Sequence, residues 1–149
     1  MSTYTQILYH IVFSTKERVP CLSKSHREDL YRYIWGIIKN KKCSLIRING
    51  VEDHLHILTT LHPSICLADF VKDIKTSSTL WIKENKIFPT FVYWQEGYGA
   101  FTCSNAEKPA IVDYIINQEE HHKRISFADE MRKLLIEHRI EFDERYFLG

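Results

Sequence analysis

Asp53-His54-Leu55-His56-Ile57-Leu58 is the stretch around which the rest of the chain is organised. In an extended strand successive side chains alternate faces, so His54 and His56 project one way while Leu55 and Ile57 point to the opposite, apolar side. Neutral imidazole is a common metal ligand, and a rigid strand presenting two of them at i and i+2 is preorganised to chelate one divalent ion. The ordinary alternative is a pair of half-buried histidines whose nitrogens are satisfied locally. What separates the two readings lies further along, at Tyr114 and Gln118.

The segments on either side predict strands and helices in a recognisable order. Tyr4 to Ser14 reads as a first strand, with Tyr9, Ile11 and Phe13 alternating against His10, Val12 and Ser14. Ser25-His26-Arg27-Glu28 has capping-box spacing, and Leu30, Ile34, Ile37 and Ile38 form one apolar helical face. That helix ends at Lys39-Asn40-Lys41-Lys42, a solvated terminus or a phosphate-facing patch. Cys43 to Val51 gives a second strand, with Asn49-Gly50 leading into the turn before the histidines. After Pro63, Ser64 is placed to cap a helix whose buried stripe is Leu67, Val71 and Ile74. Phe91 to Trp94 and Ala100 to Thr102 read as short strands around Gly97 and Gly99, which permit a reversal or a hinge. A third helix starts near Asn105 with Pro109 in its first turn, and Tyr114, Gln118 and His121 share one of its faces at i, i+4 and i+7. A last helix runs from Phe127 to Arg139 and carries Met131, Leu134 and Leu135.

Strand, helix, strand, strand, helix, strand is the order of an α+β, ferredoxin-like (RRM-like) sandwich, an antiparallel sheet with helices on one face. The histidines line the other face if Leu55 and Ile57 point under the helices. The extra C-terminal helix carrying Tyr114 is then the candidate cover.

At 149 residues, with 44% hydrophobic and 26% charged residues and only 5 Gly and 4 Pro, the chain predicts a single domain over residues 1–149 without low-complexity linkers. No apolar stretch approaches the roughly 18 residues needed to span a bilayer, so a cytoplasmic protein is expected. Cys21, Cys43, Cys66 and Cys103 are scattered and form no Cys-x-x-Cys pair, which argues against a zinc ribbon or a redox motif. The net charge of +1 hides an asymmetry: residues 1–86 carry 13 Lys and Arg against 8 Asp and Glu, residues 87–149 carry 7 against 11. Anionic partners are met by local patches, and the candidates for contact with DNA are Lys16, Arg18, Lys72, Lys75, Ser77 and Ser78. On a helix surface such groups are ordinarily just solvated.

Taken with Tyr9-His10-Ile11-Val12-Phe13-Ser14-Thr15-Lys16, Trp94-Gln95-Glu96-Gly97-Tyr98-Gly99 and Tyr114-Ile115-Ile116-Asn117-Gln118-Glu119-Glu120-His121-His122, the histidine stretch resembles the single-tyrosine HUH transposases of the insertion-sequence two-hundred family. The resemblance spans most of the chain. It implies an enzyme that cleaves and rejoins single-stranded DNA at the ends of a mobile element through a 5′-phosphotyrosine, with Tyr114 as nucleophile and His54, His56 and Gln118 holding Mg²⁺ or Mn²⁺. It also implies hairpin-bearing DNA ends as partners, nucleoid association when on DNA, and a homodimer in which Tyr114 is delivered to the partner's histidines. A domesticated nuclease acting on chromosomal repeats and a non-catalytic RRM-like nucleic-acid-binding module are the competing readings. The residue types suit the chemistry, because a tyrosine hydroxyl of pKa about 10 needs a cation or base to ionise near neutral pH.

Overall fold

In the computed structural model, which describes residues 1–149, the chain folds as β1 (Leu8–Ser14), α1 (Lys24–Asn40), β2 (Leu45–Gly50), β3 (His54–Thr59), α2 (Leu67–Asn85), β4 (Gly99–Cys103), α3 (Lys108–Ile116), α4 (Gln118–His121) and α5 (Phe127–Glu137). The four strands form one sheet in the order β2-β3-β1-β4, every neighbouring pair antiparallel. This is the ferredoxin-like arrangement expected from the element order, and no helix is long and apolar enough to cross a membrane.

Strand alternation sorts the core into two sides. Ile11, Phe13, Leu55 and Ile57 face α1 and α2 and pack with Leu30, Ile34, Ile38, Phe70 and Ile74 into the main cluster of buried residues. On the other side of the sheet, Leu8, Leu58 and Cys103 meet Ile115 of α3, while Val12 and Phe101 meet Phe127, Met131 and Leu134 of α5. Both faces are therefore covered, the second by α5 as well as by the tyrosine helix. Burying a large apolar side chain contributes on the order of 1.5–3 kcal/mol, so α5 is held by its own stripe of buried residues and not merely appended.

Several local expectations give way to tertiary contacts. The N-cap of α1 is Ser23, with Ser25 already inside the helix. The N-cap of α2 is Cys66, because Ser64 instead donates from its hydroxyl to His62 Nδ1 at 2.7 Å. Phe91 to Trp94 forms no strand: only a single bridge joins Trp94 to Thr15, while the Phe91 and Trp94 rings are buried in the core. Gly50 ends β2 where a Cβ would stand 2.3 Å from the His54 carbonyl oxygen, so this tight reversal requires glycine. Gly97, at φ +87, turns the chain into β4. Because β4 is itself hydrogen-bonded to β1, Gly97 and Gly99 are no hinge for the tyrosine helix. The connection to that helix is Ser104–Glu107, where Ser104 Oγ accepts from Glu107 N and Glu107 Oε1 from Ser104 N.

Candidate active site

His54 and His56 are fully buried and face α3, α4 and α5. Their outer nitrogens meet a carboxylate absent from the expected set: Glu130 Oε1 lies 3.1 Å from His54 Nε2, 3.0 Å from His56 Nε2 and 3.1 Å from His122 Nε2. His121 Nε2 lies 3.2 Å from the other oxygen, Oε2, to which Tyr114 Oη donates a hydrogen bond. Gln118 completes the ring. Its Oε1 is 3.3 Å from His54 Nε2 and its Nε2 donates to Glu130 Oε2 at 3.2 Å.

Local structure positions each of these groups. β3 sets the two histidines two residues apart on one face. Helix α3 is held down at its C-terminal end by Asn49 of β2, whose Nδ2 donates to the carbonyls of Ile115 and Ile116 at 2.9 and 3.1 Å. The helix does not run on through Gln118, for α3 stops at Ile116 and α4 begins at Gln118. Tyr114 and Gln118 still meet the same cluster. Buried Arg27 ties α4 to the first helix by donating to Glu119 Oε1 at 3.0 Å. In α5, Phe127, Glu130, Met131 and Leu134 are the buried positions, so Glu130 occupies the helix's apolar stripe and is carried into the site by its neighbours' burial.

Beyond the ring, His54 Nδ1 donates to Asp53 Oδ1 at 2.6 Å and His56 Nδ1 lies 2.8 Å from His10 Nε2 of β1. The electrostatics follow from burial and these partners. Burial acts to lower the His54 pKa, but Asp53 and Glu130 outweigh it and push it up to about 9. Burial prevails at His56 and His10, lowered to about 4 and about 3. Burial disfavours a charged Glu130, yet the imidazoles of His122, His54 and His56 hold its carboxyl well below the usual range. Burial and the adjacent Glu130 charge both raise Tyr114 above the ordinary phenol value.

The ligand atoms of His54, His56, His122 and Glu130 all lie within 4.8 Å of one another. Two buried nitrogens in the cluster, His121 Nε2 and His122 Nε2, make no hydrogen bond. Orphaned buried nitrogens beside a carboxylate and two more imidazoles are what a divalent metal would satisfy, so the donor set fits one. Tyr114 is half-buried and opens on a hollow of about 540 Å³ also lined by Asp113, Asn117, His121 and Arg124, wide enough to admit a backbone phosphate.

Residues 3–118 match the family described as "Transposase IS200 like". The chain belongs to the IS200-like transposase family. As a member of that family it is a DNA-processing enzyme. Two relatives, the transposases for insertion sequence element IS200 of Salmonella typhimurium and Salmonella typhi, are each 28% identical over 121 residues, 77% of this chain and 78% of theirs. Among solved structures, a candidate transposase from Deinococcus radiodurans shares the fold with TM-score 0.62 and 24% identity, over 79% of this chain and 95% of that one. A REP-associated tyrosine transposase bound to a REP hairpin also has TM-score 0.62, with 17% identity over 84% of this chain and 76% of its own.

Within this IS200-like transposase, Tyr114, His54, His56 and Gln118 come together as the sequence led one to expect. Glu130 and His122 were missed as site residues, as was the part His10 plays beside His56. A carboxylate on the apolar stripe of α5 was the available signal for Glu130. The candidate DNA contacts differ in how free they are to meet a phosphate. Ser78 is fully buried, donates to the Ile74 carbonyl at 2.6 Å and accepts from Trp94 Nε1 at 2.9 Å, so it does not reach a phosphate. Lys75 donates to the carbonyls of Gln95 and Gly97 and is likewise spent on the fold. Arg18 donates to the Leu148 carbonyl at 3.1 Å, and Lys16 lies 5.5 Å from the centre of the Tyr93 ring. Lys72 is exposed and Ser77 partly so.

Proposed function

We propose that this transposase cleaves and rejoins single-stranded DNA through a phosphotyrosine link at Tyr114, assisted by a divalent metal held by His54, His56, His122 and Glu130, with Gln118 at its edge. The observation that carries the reading is the Glu130 carboxylate, one oxygen among three imidazole nitrogens and the other accepting from Tyr114 Oη. A bound metal would polarise the scissile phosphate and stabilise its developing charge. Of the two ions expected, three nitrogens and one carboxylate favour Mn²⁺, since Mg²⁺ prefers oxygen ligands and retains its waters.

Glu130 Oε2 accepts the hydrogen bond of the Tyr114 hydroxyl and so aims it over the cluster. A phosphate seated in the hollow beside Asn117 and Arg124 would meet Tyr114 Oη, which forms the new bond to phosphorus and gives up its proton, through water, to the strand's 3′-oxygen as that oxygen leaves as a hydroxyl. The link conserves phosphodiester energy, so the 3′-hydroxyl of another strand can reverse the step and free the tyrosine. The resemblance supports hairpin-bearing element ends as substrate, cytoplasmic action on nucleoid DNA and a homodimer. The geometry supports a site complete within each chain, since Tyr114 stands beside its own chain's histidines, in place of the exchanged arrangement implied by the resemblance.

Incubation with an end-containing single strand and Mn²⁺ should yield an SDS-stable adduct that Tyr114→Phe abolishes while retaining DNA binding. An adduct that persists in Tyr114→Phe would overturn the assignment.

A further inference from the structure

His10 takes no part in the ring around Glu130, yet it is buried to 2% exposure against one member of it. Pairing of β1 with β3 sets Val12 opposite His56 and His10 opposite Leu58, so His10 is the diagonal neighbour of His56 on the same sheet face. The two rings stack, centroids 5.1 Å apart with planes 26° from parallel, and His10 Nε2 lies 2.8 Å from His56 Nδ1. The His10 ring also meets Tyr114 edge-on at 6.2 Å. A neutral imidazole carries one proton, and which nitrogen bears it is set by the partner of the other.

We propose that His10 is a positioning residue that sets the tautomer of His56 and thereby admits the metal. The inference rests on the metal centre proposed above. With Glu130 Oε1 3.0 Å from His56 Nε2, the His56 proton sits on Nε2 in the absence of metal, and His56 Nδ1 accepts from His10 Nε2–H. Ligation through Nε2 requires that nitrogen bare. The single His56 proton then sits on Nδ1 and donates to His10 Nε2, while His10 carries its own proton on Nδ1. Both rings remain neutral: one proton leaves His56 Nε2 for water, the His10 Nε2 proton passes to His56 Nδ1, and water returns one proton to His10 Nδ1. Only a partner able both to donate to and to accept from the same nitrogen serves the two states. His54 has a different arrangement, because the Asp53 carboxylate only accepts and so keeps a proton on His54 Nδ1 with or without metal, whatever Nε2 carries.

The test is Mn²⁺ titration of wild type, His10→Leu and His10→Gln, with thermal unfolding of the metal-free proteins in parallel. Removing a partner of a metal-ligating histidine typically costs 10–100-fold in affinity. His10→Leu should lose roughly that, and His10→Gln, whose amide can turn to donate or accept, should recover most of it. A His10→Leu protein that binds Mn²⁺ as tightly as wild type overturns the inference, as does an equal loss in both variants, which would mark a packing role. Long-range ¹⁵N NMR of wild-type imidazoles with and without Zn²⁺ as a diamagnetic probe stands even if His10→Leu does not fold. It should show the His56 proton moving from Nε2 to Nδ1, and a proton that stays on Nε2 refutes the idea. Wild-type protein that takes up no Mn²⁺ would instead sink the metal centre itself.

Discussion

Tyr114 Oη donates to Glu130 Oε2 across 16 residues of sequence, joining the tyrosine helix to α5 at the point where the histidines converge. Burial opposes ionisation of the Tyr114 phenol and the negative carboxylate beside it adds to that opposition, so Tyr114 is held protonated. Neutralising Glu130 should therefore ease release of the tyrosine proton. In Glu130→Gln the Tyr114 pKa should fall, read as the ultraviolet difference titration of that variant with and without Tyr114→Phe. Mn²⁺ affinity should fall at least tenfold in the same protein, by analogy with losses around other metal sites. A Tyr114 pKa that stays put would show that burial alone sets it.

Stability without metal should peak near pH 6.5. His54, raised to about 9, contributes stability that is full below its unfolded pKa and is lost as pH rises through 9. His56 and His10, lowered to about 4 and 3, are buried neutral, so stability is lost as pH falls from 6.5 through those values. Thermal melts in EDTA from pH 3 to 10 measure both limbs. Asp53→Asn should flatten the alkaline limb, because Asp53 is a main source of the upward shift at His54.

Asn49→Ala removes the two hydrogen bonds that pin the end of α3. A net loss of about 1–2 kcal/mol in stability is expected, together with faster amide exchange over residues 111–118. Adduct formation should slow while Mn²⁺ affinity changes little, since β3 and α5 are untouched. Unaltered exchange in that segment would show that apolar packing of Ile115 suffices.

Ser78→Ala and Lys72→Ala should separate fold from DNA contact. Ser78→Ala strands the buried Trp94 Nε1–H and should cost roughly 1–3 kcal/mol with DNA affinity unchanged at temperatures where the protein is folded. Lys72→Ala should leave stability within about 0.5 kcal/mol and reduce the salt dependence of single-strand binding by about one counterion. Equal salt slopes for Lys72→Ala and wild type would remove Lys72 from the DNA surface.

Mixing His54→Ala with Tyr114→Phe tests whether each chain holds a whole site. With both groups supplied by one chain, every site in the mixture carries a lesion and no adduct forms after confirmed subunit exchange. Restored cleavage would mean that Tyr114 acts on its partner's histidines.

Much of the architecture was legible because it depends on local periodicity. Alternation within β1 separated Ile11 and Phe13 from His10, alternation within β3 separated Leu55 and Ile57 from His54 and His56, and the order of elements implied the sheet that is observed, while the register of β1 on β3 decided which faces coincide. Helix starts were less legible, since Ser23, Ser25, Ser64 and Cys66 compete for caps through contacts that spacing does not encode.

By itself, the sequence determined that two imidazoles share a strand face and that Tyr114 and Gln118 come from a helical segment able to cover them, which the fold divides between α3 and α4. Only the tertiary structure decided that the groups meeting them are Glu130, His122 and His10. A sheet face buried under two elements brings together residues far apart in sequence, and Glu130 from α5 and His10 from β1 meet the His54–His56 pair through strand pairing and apolar packing. Local periodicity says which face a side chain takes, whereas its partner across that face depends on how whole elements pack.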